Sequence, residues 1–241
     1  MPSNYIDLTN ELLRRLNEVE IAQADFGTTR GVQALAKDSI KASISKINQA
    51  EYEWPFNAAE HTQTLSVGQE EYSWPIYFKV ADWNSFQLQK DANLGIDHTT
   101  LQFISRDEWY KSYHDKDDDA GVTGTSVPIY VFPGHGNGYG VSPSPDKAYG
   151  LKFRYYMTNV DLVAYNDESR IPNSYNNVII DGALYHMYMF RDNPEAAGVS
   201  AQLFQQGLKE MQGILINKYQ SITDTRIHRH RGLSSSLLST R

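Results

Sequence analysis

Apolar periodicity changes kind twice along this 241-residue chain, and that order restricts the folds open to it more than any motif does. Helical spacing holds over 1–50 and again over 173–220, strand-like alternation broken by turns fills about 57–172, and 222–241 has no core-forming pattern. Leu8, Leu12, Leu16 and Val19 recur at i, i+4, i+8 and i+11, with Arg14, Arg15 and Glu18 on the other side. Val32, Leu35, Ala36, Ile40, Ile44 and Ile47 draw a second stripe, expected to end near Trp54 because Pro55 disfavours helical geometry in the residue before it. Ile179, Ala183, Met187 and Phe190 mark a third helix, which Asp192-Asn193-Pro194 breaks. Ala197, Ala201, Phe204, Leu208, Met211 and Leu215 follow on a fourth. Phe204, Leu208, Met211 and Leu215 make a narrow seam that demands a helical partner, within the chain or in a neighbouring copy.

The middle of the chain reads as short strands. Thr62–Val67, a turn at Gly68-Gln69 and a return through Tyr72-Ser73-Trp74 predict a hairpin. Further strands are expected at 77–88, 100–104 and 127–132, with one short helix over Ser105–Tyr113. Residues 133–148 are rich enough in Gly and Pro to read as irregular, whereas Leu151, Phe153 and Tyr155 alternate with Lys152, Arg154 and Tyr156 as a half-buried strand. The expected fold class is therefore α+β. Residues 1–56 and 173–221 form a helical platform, 57–172 an inserted β-rich domain, and 222–241 an extended C-terminal arm.

Charge separates the arm from the body. The chain carries −7, but 222–241 holds four Arg against the single Asp224, so the arm is +3 and the rest −10. Such a body repels nucleic acid, while the arm seeks an acidic partner. Arg226, His228, Arg229, His230, Arg231 and Arg241 supply charge, and Leu233, Leu237 and Leu238 supply small apolar anchors. Too little can be buried for the arm to fold alone, so it is expected to order on a partner. The 16 Tyr suit surfaces that become buried on association.

The absence of Cys excludes disulfides, thiolate catalysis and Cys-ligated metals. No apolar run reaches the roughly 20 residues that span a bilayer, and Met-Pro-Ser-Asn-Tyr lacks the features of a signal peptide, so assembly in the cytoplasm is expected.

Gly134-His135-Gly136-Asn137-Gly138-Tyr139-Gly140 invites a phosphate-loop reading but fits neither glycine fingerprint, and it precedes a strand. His135-Gly136-Asn137-Gly138 loosely resembles an esterase oxyanion loop, yet the chain has no G-x-S-x-G. Asp115, Asp117, Asp118 and Asp119 start like a calcium loop, but Ala120 stands where the turn glycine belongs and Ser126 where the bidentate Glu belongs. His61, His98, His114, His135 and His186 lack zinc spacing. No catalytic, cofactor or metal residue is expected. An alternative function is carbohydrate recognition through the aromatic β insert, with Trp54, Trp74, Trp83 and Trp109 as stacking platforms.

The run Val67-Gly68-Gln69-Glu70-Glu71-Tyr72-Ser73-Trp74-Pro75 opens a longer pattern. Val141-Ser142-Pro143-Ser144-Pro145 leads into Leu151–Tyr156, and Asp161-Leu162 and Ile171-Pro172 precede two helices. From Asn4 to about Tyr219 this order resembles the bacteriophage head-to-tail adaptors called tail tubular protein A in short-tailed phages. The resemblance implies a structural virion protein: a homo-oligomeric ring of about twelve copies closed by heterologous contacts. It implies docking under the portal protein, with the arm, about Thr223–Arg241, reaching into the portal. It also implies contact with the tail nozzle or other tail proteins, and with tail fibres, and passage of genomic DNA through the ring at ejection. An acidic wall would let that DNA slide without sticking.

Overall fold

The Asn4 amide donates to the Asp7 carboxylate (3.2 Å) and starts the first helix with negative charge on its first turn. The computed structural model describes residues 3–216 except 92, 94, 98 and 114–123. Among these, five α-helices are found: α1 (Tyr5–Arg15), α2 (Val32–Ala50), α3 (Arg106–Ser112), α4 (Asn176–Phe190) and α5 (Pro194–Leu215). The helix expected through Val19 stops four residues earlier because Asn17 takes a positive φ of 58° and turns the chain, leaving Val19 78% exposed. The indole of Trp54 folds back past the end of α2 and donates to the Ile47 carbonyl (2.8 Å). Between α4 and α5, Pro194 takes the first helical position, and the Asn193 side chain accepts from the Ala196 amide (3.1 Å).

Helices from the two ends of the sequence share one core. Tyr5, Leu8 and Leu12 of α1 meet Ile40 and Ile44 of α2, Ile179 and Ala183 of α4, Met211 of α5, and Trp54. Fully burying a large aliphatic side chain contributes about 1.5–3 kcal/mol, so α1 is fastened to α4 and α5 mainly by hydrophobic burial. The return segment adds backbone bonds, with Tyr5 N–H donating to Asp167 O (2.8 Å) and Ile6 N–H to Tyr165 O (3.1 Å).

The strands are β1 (Ala58–Thr64), β2 (Glu71–Ser73), β3 (Phe78–Ala81), β4 (Gln87–Leu88), β5 (Thr99–Thr100), β6 (Gln102–Phe103), β7 (Thr125–Ser126), β8 (Tyr130–Pro133), β9 (Gly138–Ser142), β10 (Ser144–Pro145) and β11 (Gly150–Met157). One sheet runs β1-β11-β4-β5 with β3 also on β11, a second runs β2-β9-β8-β6, and β10 pairs with β7. β11 is the alternating strand that the sequence predicts, and Leu151, Phe153 and Tyr155 point into the core.

The predicted hairpin at 62–74 does not form. β1 pairs antiparallel with β11 from Ala58↔Tyr156 to Thr64↔Gly150, and β2 pairs with β9 in the other sheet. The segment between β1 and β2 crosses from one sheet to the other. It is held by the Tyr72 hydroxyl, which donates to Gln69 O (2.9 Å) and accepts from Ser66 N–H (3.0 Å). The sheets face each other across an aromatic core. Phe86 stacks on Phe153 (4.4 Å, 6°), and Tyr139 meets Phe153 edge-on (5.3 Å, 69°).

Residues 133–148 are also more regular than their composition predicts, since they contain β9 and β10. Their glycines are sites of close approach. A Cβ on Gly140 would lie 2.2 Å from the ring of Phe132, its cross-strand partner, and one on Gly138 would lie 2.5 Å from Tyr72 O. The Phe132 ring that covers Gly140 is itself covered by Trp109 of α3, stacked at 4.3 Å.

Candidate functional site

The predicted seam residues lie on the inner face of α5. Met211 is buried, and Phe204, Leu208 and Leu215 are partly buried against the helical core of the same chain. Two helix-interior glycines allow this approach. A Cβ on Gly182 of α4 would stand 2.8 Å from the Phe204 ring and 2.3 Å from Ser43 Oγ, and one on Gly207 of α5 would stand 2.7 Å from Val178 Cγ2. Sequence reasoning missed both. Their signal was a glycine inside a strong helical pattern, where it costs about 1 kcal/mol relative to Ala unless a close contact requires it.

Opposite the core, α5 keeps a second apolar line: Val199, Leu203 and Ile214 are 56%, 50% and 73% exposed. At the end of α4, Met189 and Phe190 are exposed as well. A cleft of about 250 Å³ opens between α2, α4 and α5, and Lys46, Tyr185, His186 and Gln205 are among the residues lining it. Burial, aided by the charge of Lys46, pushes the His186 imidazole below its ordinary pKa.

Polar contacts fix the helices and the strands to each other. Arg15 bridges Glu11 (2.9 Å), Asn177 (2.9 Å) and Asp181 (3.2 Å), binding α1 to α4, and Arg191 pairs with Glu18, joining the segments that follow the two helices. Burial raises the Asp181 carboxyl and Arg15 pulls it back. From β3, the Lys79 ammonium donates to Asn48 O and to Glu51 O (2.8 Å), satisfying carbonyls at the C-terminal end of α2. The side chains of Asn48 and Asn57 join there (2.5 Å).

The glycine stretch at 134–140 forms the turn between β8 and β9 (134–137) and the start of β9, and its His135 contacts Glu71 and Arg106. Burial would raise the Glu71 carboxyl, but the side-chain and backbone bonds from His135 and the charges of His135 and Arg106 hold it below its ordinary value. With the His135 side chain 75% exposed, this arrangement is an ion-pair clip on a surface turn.

The four Trp are engaged in packing. Trp54 and Trp109 are buried, Trp74 is stacked on Phe78 (4.0 Å, 3°), and Trp83 is stacked on Phe86 (5.6 Å, 16°). Among the described residues no group of three or more His, Asp or Glu is placed to hold a metal ion, and no helix is long and apolar enough to cross a membrane. The Asp115–Asp119 loop and the whole predicted arm, Arg226, His228, Arg229, His230, Arg231, Leu233, Leu237, Leu238 and Arg241, lie outside the described residues.

One family model spans the helices α1 to α5 and all the strands between them. The model for the SU10 adaptor protein covers residues 3–229. The chain belongs to the SU10 adaptor protein family. This agrees with the phage head-to-tail adaptor likeness read from the sequence, and it gives the chain a structural adaptor role in the virion. The match passes beyond α5 and takes in the first part of the basic arm. No curated protein matches the chain.

Proposed function

We propose that this SU10-family adaptor is one subunit of a ring that docks beneath the portal and joins it to the tail. Residues 1–56 and 173–221 form the ring-building domain, 57–172 the β-rich domain that meets tail components, and 222–241 the arm that reaches the portal. The observation that carries this reading is the position of α5. It packs on the core through Phe204, Leu208 and Met211, yet leaves Val199, Leu203 and Ile214 in water. A second apolar line on a helix that already packs on the core is a surface for association, and a ring subunit must offer one.

The charge division supports the same reading. A body of −10 gives the ring wall a sign that repels DNA, so a genome passes without binding, and an arm of +3 suits an acidic groove on the portal. Negative-stain imaging of the purified protein, alone and with portal, tests the proposal. Rings of about twelve subunits seated on the portal are the expected result; a protein that stays monomeric and unbound with portal present defeats it.

A further inference from the structure

The cleft between α2, α4 and α5 offers hydrogen-bond donors and one positive charge. Its lining brings together Lys46, His186, Gln205, the Tyr185 phenol and the Ser43 hydroxyl, and includes no acidic side chain. Ser43 is 1% exposed, and its Oγ has no hydrogen-bond partner among the described residues. Burying a hydroxyl without a partner is unfavourable, and here it lies in the wall of an open cleft. The positive charge in the cleft is that of Lys46, which no acidic side chain in the lining offsets, while burial and then the Lys46 charge hold the His186 imidazole below its ordinary pKa and favour its neutral form.

The complementary group stands on the far side of α5. At about 100° per residue, Val199, Leu203, Glu210 and Ile214 fall on one line of the helix, while Ala201 and Gln205, which face the cleft, fall on nearly the opposite side. That outer line carries Glu210, exposed between Leu203 and Ile214, and no basic residue. A single chain cannot bring the two sides of one helix together. A second copy can, and a contact that joins two different faces of identical subunits is the heterologous kind that closes into a ring.

We infer that Glu210 of one subunit enters the Lys46–His186–Gln205 cleft of the next, with Leu203 and Ile214 packing at its rim. This pairing rests on the ring reading and adds to it the faces that meet. The occupant is identified by charge: an acid flanked by aliphatics on one face, and a basic cleft lined by the Phe204 ring on the other.

Reciprocal charge exchange tests the pairing in the full-length protein. Lys46 and Glu210 are both exposed, so Lys46→Glu and Glu210→Lys are each expected to keep the wild-type circular dichroism spectrum and melting temperature. Each single variant is expected to raise the concentration needed for half-assembly, read by analytical ultracentrifugation and imaging with portal present, by about tenfold or more. The double variant is expected to return to within about threefold of wild type, which a general loss of surface charge would not produce. Wild-type rings from both single variants, or a double variant no better than either, overturn the pairing while leaving the ring reading intact. Single variants that form rings but lose portal binding assign the cleft to the portal and also overturn it. A wild-type protein that forms no rings at all removes the ring reading and this inference with it.

Discussion

The ring of Phe204 lies directly over the Cα of Gly182, so closely that a Cβ there would come within 2.8 Å of it. Both helices of the α4–α5 pair therefore depend on a hydrogen atom where any other residue has carbon. Gly182→Ala is expected to destabilise the helical core by about 1–3 kcal/mol through overpacking, against the small gain in helix propensity. Urea unfolding followed by circular dichroism measures it, and a variant as stable as wild type would show that the core yields more readily than its packing indicates.

Leu208 and Leu203 are five residues apart on α5 and face different surroundings, one packed on the core and one half in water. Leu208→Asp is expected to lower stability by several kcal/mol, because it drives a carboxylate into an apolar contact without a partner. Leu203→Asp is expected to leave the melting temperature near wild type and to impair assembly. Equal losses of stability from the two substitutions would contradict this division of faces.

The clip at Glu71 gives a dependence on pH. Its carboxyl titrates below the ordinary value of 4.5 in the folded chain, so its stabilising contribution is complete above that value and is lost as the pH falls through the lower, folded pKa. Solvent screening at a side chain 35% exposed keeps the effect small. Urea melts between pH 3 and 6 should show Glu71→Gln with a shallower acid slope than wild type. Parallel slopes would mean that His135 and Arg106 do not stabilise the charged carboxylate.

Truncation after Tyr219 removes the basic arm and none of the described residues that build the helical core. The truncated protein is expected to melt as the full chain does and to bind portal more weakly by orders of magnitude. Replacing Leu233, Leu237 and Leu238 should remove a salt-resistant part of that affinity, and replacing the Arg residues a salt-sensitive part. Portal binding undiminished by truncation, or a steep salt-dependent affinity of the arm for duplex DNA without portal binding, would reassign the arm as a nucleic-acid tether.

The helices were legible in the sequence because their signal is local. A repeat of 3.6 residues places Ile40, Ile44 and Ile47 on one side whatever surrounds them, and Asn193-Pro194 marks a helix start within two residues. The family pattern was legible for a related reason, since it is an order of elements along the chain. Strand partners were not, because β1 had two candidates and chose β11, some ninety residues away, over the adjacent β2. Pairing depends on which strand offers a matching buried face, and alternation specifies the face without specifying the partner. The glycines at 138, 140 and 182 carried the same ambiguity. Alone each reads as a turn or a weakness, and only the folded chain shows the backbone of Tyr72 and the rings of Phe132 and Phe204 pressed against them. Only tertiary packing separated the inner and outer lines of α5, because both are apolar and a helix read by itself has no inside until another element covers one of its faces.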